Sequence, residues 1–319
     1  MSGPDVLCLG ELLIDFTPAP GGMFRANPGG APANVAVQLS RLGLSSAFMG
    51  KVGQDAFGQM LKECLDREGV STAGLVLDPQ HPTTLAFVHL DERGERSFSF
   101  YRNGGADTQL RPEELRMDLI DGCTALHFGS LSMTDEPSRA ATLSAVTAAG
   151  ERGKLISCDP NWRPLLWPSR EEGIRQMRVC VSLSDAVKVS EEELMLLTGS
   201  EDVPEGIRRL RELGPELVAV TLGAGGCEVS NGKAAIRRPA FPVSAMDTTG
   251  CGDSFWGALL SRLLAMGCRH RADLVSLTDS DLMELARFAS ASGAICATRS
   301  GAIPALPDAG EVRAFLSER

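Results

Sequence analysis

Residues 247–253 combine groups that could bind an anion with a carboxylate at the start of a predicted helix. The stretch reads Asp-Thr-Thr-Gly-Cys-Gly-Asp, with glycines at positions 250 and 252. Because glycine adopts positive φ angles readily, the two glycines allow the backbone to turn several N–H groups toward one point. The unpaired amides and the dipole of a helix N-terminus already favour an anion there. The sequence therefore predicts a site for a phosphate group in front of this helix.

Asp253 has two interpretations on this stretch alone. Phe255, Leu259 and Leu263 recur at helical spacing, which predicts a helix that begins near Asp253. A carboxylate is unexpected beside an anion site, and as a first-turn residue it could simply cap the helix. Such a cap contributes about 1 kcal/mol to stability. Capping and a chemical role both remain open for Asp253.

Two other charged residues follow predicted buried strands. Residues 6–16 predict a buried strand and its extension, with Asp15 at the end of it. There Asp15 is either a turn residue or an acceptor for a hydroxyl group in a cleft. Arg163 comes shortly after the predicted strand 154–158, and its guanidinium could bind two oxygens of a phosphate or carboxylate. The alternative for Arg163 is packing on Trp162 or Trp167.

Two more motifs have ordinary structural explanations. Ser190 and Glu193 stand at the N-cap and N3 positions of a predicted helix, and this capping box accounts for both residues. The apolar strand 217–221 leads into a glycine-rich turn at 223–226, a weak signal by itself. No G-x-x-x-x-G-K-[ST] string occurs in the chain, so this is not a P-loop protein.

The order of predicted elements indicates how these groups are brought together. From residue 125 onward the chain alternates strand 125–129, helix 136–151, strand 154–158 and a helix from 171, which is the βαβ pattern of a parallel sheet. Residues 85–91 and 96–102 alternate with period two and predict a hairpin. Since hairpin strands are antiparallel, this pair should lie outside the parallel sheet.

Composition excludes several classes of protein. With 319 residues, of which 43% are hydrophobic and 23% charged, the chain suffices for one large α/β domain or two smaller ones. Nine cysteines without a C-x-x-C motif argue against a disulfide framework or zinc site. The net charge of −10 argues against a nucleic-acid partner. Lacking a signal peptide or an uninterrupted apolar span, the sequence predicts a cytoplasmic protein without a membrane partner.

The string Asp-Thr-Thr-Gly-x-Gly-Asp resembles the second signature of the carbohydrate kinase family that contains ribokinase, fructokinase and adenosine kinase. Residues 27–43 resemble the first signature, and the similarity extends over nearly the whole chain. It implies a single domain, 1–319, with a doubly wound, mainly parallel sheet and a small β lid at 11–28 and 83–104. Relatives usually have Ala where this chain has Cys251.

The resemblance implies a role for each matching residue. Asp253 would be the general base on the sugar hydroxyl. The anion hole for the phosphoryl group would consist of Gly250, Cys251 and Gly252, and Arg163 would bind the same group as a cationic clamp. The sugar would contact Asp15, Gly29, Gly30, Asn34, Arg102 and Asn161. For Arg102 a surface place on the hairpin is the alternative to a place near the sugar.

The family also implies ATP, Mg²⁺ and a monovalent cation such as K⁺. ATP would contact Lys188, Ser190, Glu193, Thr221, Gly223, Gly225, Gly226, Ser290 and Gly293. Glu193 would order Mg²⁺ through water, and the monovalent cation would lie at Asp247, Thr249 and Gly301. Relatives usually have Asn in place of Ser190, and often Asn or His in place of Ser290.

Residues 102–107 and 159–163 are most similar to the fructokinase branch. The resemblance therefore implies ATP-dependent phosphorylation of a primary sugar hydroxyl, which converts D-fructose to fructose 6-phosphate. It also implies a homodimer whose other partners are the small molecules sugar and ATP. One alternative is 2-keto-3-deoxygluconate kinase, for which Arg102 and Arg163 would bind a carboxylate. The other is a catalytically silent relative that binds a sugar or a protein partner.

Overall fold

A computed structural model describes residues 3–90 and 96–319 of the chain. The strands are β1 (Val6–Leu9), β2 (Leu13–Ala19), β3 (Met23–Gly29), β4 (Ser46–Gly53), β5 (Ser71–Asp78), β6 (Leu85–Leu90), β7 (Arg96–Tyr101), β8 (Ala125–Gly129), β9 (Leu155–Asp159), β10 (Ala186–Ser190), β11 (Leu217–Thr221), β12 (Cys227–Ser230) and β13 (Ala235–Arg238). The helices are α1 (Ala31–Arg41), α2 (Ala56–Arg67), α3 (Met117–Gly122), α4 (Ser138–Glu151), α5 (Arg170–Ser182), α6 (Glu191–Thr198), α7 (Val203–Glu212), α8 (Cys251–Ala265), α9 (Arg271–Leu274), α10 (Asp279–Ala297) and α11 (Ala309–Ser317).

Nine strands form the central sheet in the order β13-β12-β11-β10-β9-β8-β1-β4-β5. All neighbouring pairs from β11 to β5 are parallel, and only β12 and β13 are antiparallel. Alternate residues of these strands pack into two apolar layers, one with α1, α8 and α10 and the other with α4, α5 and α7. The predicted doubly wound, mainly parallel α/β fold is therefore confirmed.

The second sheet is small and has the order β3-β2-β6-β7. Its strands β6 and β7 pair antiparallel, which confirms the predicted hairpin, although the turn at 91–95 lies outside the described residues. The four strands fall in the two segments predicted as a lid, 11–28 and 83–104, except that β3 ends one residue later, at Gly29. At the ends of these segments, residues 11–12, 83–84 and 102–104 belong to neither sheet.

The first apolar run of the chain was predicted as one strand with an extension, and this is wrong. β1 lies in the central sheet and β2 in the second one, because the backbone changes direction at Gly10, where φ is 152°. Asp15 consequently lies inside β2, where it pairs with Asn27, so the turn interpretation of Asp15 is also wrong.

Helix α8 positions the residues of the strongest motif. It begins at Cys251, two residues earlier than predicted, and Gly250 is its N-cap with a left-handed φ of 77°. The apolar face of α8 packs on α1 and α10, which fixes its N-terminus near the carboxyl ends of β9 and β10. Among the described residues, no helix has the length and apolar character needed to cross a membrane.

Candidate active site

The N-terminus of α8 presents backbone donors to the cleft. The left-handed backbone at Gly250 suits glycine, and the chain then enters the helix at Cys251. Helix geometry leaves the N–H groups of Gly252 and Asp253 without an intrahelical partner, while that of Cys251 makes a long bond of 3.3 Å to the Thr248 carbonyl. These donors and the helix dipole suit an anion, as the sequence predicts.

Asp253 does not cap this helix. It occupies the third helical position, and no side chain caps the Gly250 end. Its Oδ2 instead accepts a hydrogen bond of 2.7 Å from Nδ2 of Asn34, near the start of α1. The Oδ1 atom of Asn34 is buried and has no partner among the described residues, so it could accept from a substrate hydroxyl. The capping interpretation of Asp253 is therefore wrong.

A buried ion pair lies beside Asp253. Nζ of Lys188 donates to Oδ2 of Asp159 across 2.6 Å, and both side chains are almost completely buried. The same Nζ lies against Gly252, where an added Cβ would come within 2.9 Å of it. The second carboxylate oxygen of Asp159 has no partner among the described residues. The charges of Lys188 and Asp159 are thus held next to the anion site at Gly252.

Burial raises the pKa of Asp253 to about 6. This value is the net result of burial and the nearby Asp159 carboxylate, which raise the pKa, and of Lys188, the Asn34 hydrogen bond and Arg163, which lower it. A carboxylate with a pKa near 6 is ionised at neutral pH and still binds a proton readily, which suits a general base. The electrostatic environment therefore supports proton transfer at Asp253.

Asp15 lies in the same cleft, on β2. Burial raises its pKa to about 6, Arg163 lowers it and Asp253 raises it, so the three charged side chains interact. Oδ2 of Asp15 lies so close to Gly29 that a Cβ at position 29 would be 2.2 Å away. Gly30, the next residue, is the N-cap of α1. The structure thus brings Asp15, Gly29, Gly30 and Asn34 to one wall of the cleft.

The turn after β9 carries Asn161 and Arg163. Asn161 has a left-handed φ of 56°. The half-buried Arg163 donates from Nη1 to the Trp162 carbonyl across 2.9 Å. Trp162 and Trp167 stack on one another, and the cation–π contacts of the described residues involve other arginines. No cation–π contact of Arg163 with the indoles is thus seen among the described residues, and its charge lowers the pKa of both Asp15 and Asp253.

A cavity of about 520 Å³ opens on the other side of the α8 N-terminus. Its wall includes five residues that the resemblance assigns to ATP: Thr221, Gly223, Gly226, Ser290 and Gly293. Phe241 and Phe255 make part of the wall apolar, and Cys251 and Gly252 connect it to the anion site. Gly225 belongs to the same turn after β11 without lining the cavity. An apolar cavity that ends at an anion site fits a nucleotide.

The predicted capping box at α6 is confirmed. Ser190 Oγ accepts from the Glu193 N–H, and Glu193 Oε2 accepts from the Ser190 N–H across 2.7 Å. Residues 3–90 and 96–319 contain no group of three or more acidic, His or Cys side chains that could hold a metal ion. The Mg²⁺ ion that the resemblance implies, and the role of Glu193 toward it, stay predictions.

Asp247 joins the two loops assigned to a monovalent cation. Its Oδ1 accepts from the Thr249 N–H across 2.8 Å, and its Oδ2 accepts from the Gly301 N–H across 3.0 Å. These three residues and Asp15 line a second cavity, of about 480 Å³. The oxygen-rich loops are chemically suited to a hard cation close to the sugar cleft.

The family model for pfkB family carbohydrate kinases matches residues 4–309. The chain belongs to this family. It is 46% identical to "Probable fructokinase-4" of Arabidopsis thaliana over 98% of this chain and 96% of that relative. A crystal structure of fructokinase with bound ATP from Xylella fastidiosa matches with a TM-score of 0.91 and 37% identity, covering 98% of each chain. A fructokinase double mutant from Vibrio cholerae O395, with fructose, ADP and potassium ion bound, matches with a TM-score of 0.86 and 35% identity, covering 99% of each chain.

In this pfkB family kinase, Arg102 occupies an interior position. Its Nε donates to Asp107 across 2.7 Å, Nη1 donates to Thr134 Oγ1 across 2.7 Å, and Nη2 donates to the Leu131 carbonyl across 2.8 Å. The alternative of a surface place on the hairpin is wrong, because only 8% of Arg102 is exposed. A contact between Arg102 and a sugar stays a prediction.

Sequence reasoning missed two acidic residues of this kinase. Asp159, the first residue of the motif 159–163, had no predicted role, although its position at the end of β9 beside Lys188 of β10 could have suggested the ion pair. Glu11 is buried, and its Oε1 accepts from the Ala31 N–H at the start of α1. Burial raises the pKa of Glu11 to about 7. The sequence around Glu11, including Gly10, does not predict its contact with the distant Ala31.

The pKa of Asp253 predicts how activity depends on pH. We expect kcat/KM for the sugar to fall about tenfold for each pH unit below pH 6, because the protonated carboxyl cannot accept the hydroxyl proton. Asp15 has a similar pKa, so the fall should steepen when both groups bind protons. Initial rates from pH 5 to 8 test this, with the KM for ATP measured at each pH as the control. A flat profile down to pH 5 would contradict the role of Asp253.

Proposed function

We propose that this sugar kinase transfers the γ-phosphoryl group of ATP to the C6 hydroxyl of D-fructose. The observation that carries the proposal is the Asp253 carboxylate, which is oriented by Asn34 beside the donors of the α8 N-terminus. The fructokinases among its relatives support fructose as the acceptor. The ATP in one matched structure supports ATP as the donor.

In the proposed reaction Asp253 accepts the proton of the C6 hydroxyl as its oxygen attacks the γ-phosphorus. The N–H groups of Gly250, Cys251 and Gly252 stabilise the negative charge on the moving phosphoryl group, and so does the guanidinium of Arg163. For this the Cys251 N–H would release its long bond to the Thr248 carbonyl. Such stabilisation contributes most of the catalysis in phosphoryl transfer. Mg²⁺ bound with the nucleotide would neutralise further phosphate charge. Asp15, Gly29, Gly30, Asn34 and Asn161 hold the sugar hydroxyls.

The nucleotide is proposed to occupy the cavity beside Thr221 and Ser290, with its phosphates at the α8 N-terminus. Lys188 is well placed to attract those phosphates, although its pairing with Asp159 offsets part of its charge. A monovalent cation, K⁺ by analogy with the Vibrio cholerae relative, would lie at the loops joined by Asp247. The sheet of β2, β3, β6 and β7 would cover the sugar and exclude water during transfer.

A panel of sugars tests the acceptor. We expect kcat/KM for D-fructose to exceed that for 2-keto-3-deoxygluconate at least tenfold, with ATP and Mg²⁺ fixed. The physical reason is that the Arg102 guanidinium already bonds to Asp107, Thr134 and Leu131, which leaves Arg163 as the remaining predicted partner for a carboxylate. The Asp253→Asn variant, purified in parallel, measures contaminating kinase activity. A higher value for the keto-deoxy acid would transfer the proposal to that sugar, and no activity with any sugar would favour a silent relative.

We also propose that the protein is a cytoplasmic homodimer. The second sheet exposes large apolar side chains at Met23, Phe24 and Tyr101, which a second copy could cover. All nine cysteines are free, which suits a reducing compartment. Light scattering should give twice the chain mass of 33.9 kDa, whereas a single-chain mass would exclude the dimer.

A further inference from the structure

The carboxylate of Glu193 joins two separate parts of the active site. Its Oε2 accepts from Ser190, within the capping box of its own helix. Its Oε1 accepts from the backbone N–H of Trp162 across 2.6 Å, in the turn that follows β9. Only 5% of Glu193 is exposed, so this charge-assisted bond is shielded from water. One side chain thus fixes the turn after β9 to the start of α6.

The turn that Glu193 holds has a conformation that needs support. Asn161, directly before Trp162, is the one residue other than glycine with a positive φ in the described parts of the chain. Residues in this region persist where surrounding contacts determine the backbone, and they concentrate at functional sites. On the other side, the Trp162 indole fills a notch at Gly173 of α5, where an added Cβ would lie 2.3 Å from the ring. Two contacts, one polar and one apolar, therefore hold the turn.

Arg163 is the residue that this support places in the cleft. The Trp162 residue is held at both of its backbone polar groups, because its N–H donates to Glu193 and its carbonyl accepts from Nη1 of Arg163. The Arg163 charge lies close enough to Asp15 and Asp253 to lower the pKa of each. A shift of the Trp162 backbone would therefore move the guanidinium relative to the reacting groups.

We propose that Glu193 is a positioning residue for Arg163, acting through the Trp162 N–H. This inference rests on the proposed role of Arg163 at the phosphoryl group. It differs from the role that family resemblance gives Glu193, which is to order Mg²⁺ through water. Both carboxylate oxygens already accept from backbone donors of the protein.

The Glu193→Gln variant tests the proposal, because an amide offers one acceptor oxygen to two N–H donors. We expect kcat with fructose to fall about 10- to 100-fold, as when a positioning contact is lost. The KM for ATP and the half-saturating Mg²⁺ concentration should stay within about threefold of the parent values. In an Arg163→Ala background the same change should lower kcat less than about threefold, since residues that act as one unit are not additive. Glu192→Gln is the matched control. Glu192 is an exposed residue of the same first turn of α6, so removing its charge should leave kcat unchanged.

Equal losses in both backgrounds, or a tenfold higher Mg²⁺ requirement of Glu193→Gln, would overturn the proposal and assign Glu193 to the metal. Should Glu193→Gln fail to fold, Glu193→Asp keeps the charge while shortening the side chain by one methylene, and the same comparison applies. A parent protein without sugar kinase activity would contradict the proposed function instead. Crystal structures then decide the inference: a relaxed turn at Asn161 with displaced Arg163 in the variant supports it, and an unchanged turn overturns it.

Discussion

Replacement of Asp253 by Asn is expected to lower kcat for fructose by about 10² to 10⁴, the range for loss of a general base. Asn has the same shape and keeps an oxygen that can accept from Asn34, so sugar binding should persist. It cannot accept the hydroxyl proton. Steady-state kinetics with fructose and ATP measure the change. The control is Asp279→Asn, which alters an exposed first-turn carboxylate of α10 and should retain the parent activity.

The same variant should not be less stable than the parent at pH 7. Burial raises the pKa of Asp253 in the folded protein to about 6, above its ordinary value of 3.8. The stabilising contribution of such a group is complete below the lower value and is lost as pH rises through the higher one. Asn mimics the neutral carboxyl at every pH, so the stability advantage of the variant should grow between pH 4 and pH 7. Urea unfolding at both pH values measures it. For the kinetic prediction, a kcat of Asp253→Asn within tenfold of the parent value would contradict a role of Asp253 in the mechanism.

Replacement of Arg163 by Ala is expected to lower kcat by about 10² to 10³, as when one donor to a transition-state oxyanion is removed. The KM values for fructose and ATP should change far less, because the guanidinium acts mainly on charge that develops during transfer. Arg163→Lys should recover only part of the loss, since an ammonium group cannot bind two oxygens in the same geometry.

Arg170→Ala is the matched control for Arg163. It removes an exposed arginine at the start of α5, seven residues further along the chain, and should leave kcat unchanged. If Arg163 only packed on the indoles of Trp162 and Trp167, its replacement would reduce thermal stability while kcat stayed near the parent value. That outcome would contradict the proposed clamp.

Local patterns were sufficient for much of the fold. The alternation of apolar strands and helices after residue 125 predicted a parallel sheet, because each element carries its own periodicity. The capping box at Ser190 and the glycines before α8 were visible in the same way, since each depends on neighbours within a few positions. Strand β8 was predicted with its observed bounds, 125–129.

Contacts between distant residues could not be predicted in this way. The hydrogen bond between Asn34 and Asp253 joins positions 219 residues apart, so no local pattern distinguishes a carboxylate that contacts Asn34 from a helix cap. A surface place on the hairpin was one prediction for Arg102, because its buried partners Thr134 and Leu131 lie about thirty residues further along the chain. The separation of β1 from β2 depends on which sheet each strand joins, a choice made by tertiary packing and not by the apolar run itself.

The central claim is that Asp253 directs the γ-phosphoryl group of ATP to the primary hydroxyl at C6 of fructose. Its most direct test is nuclear magnetic resonance of the product formed by the parent enzyme from ATP and D-fructose labelled with ¹³C at C6. The account predicts phosphorus coupling at the labelled carbon, and about a hundredfold less of this product, or lower still, from Asp253→Asn over the same time. A phosphate on any other carbon, or equal amounts of product from the two proteins, would contradict it.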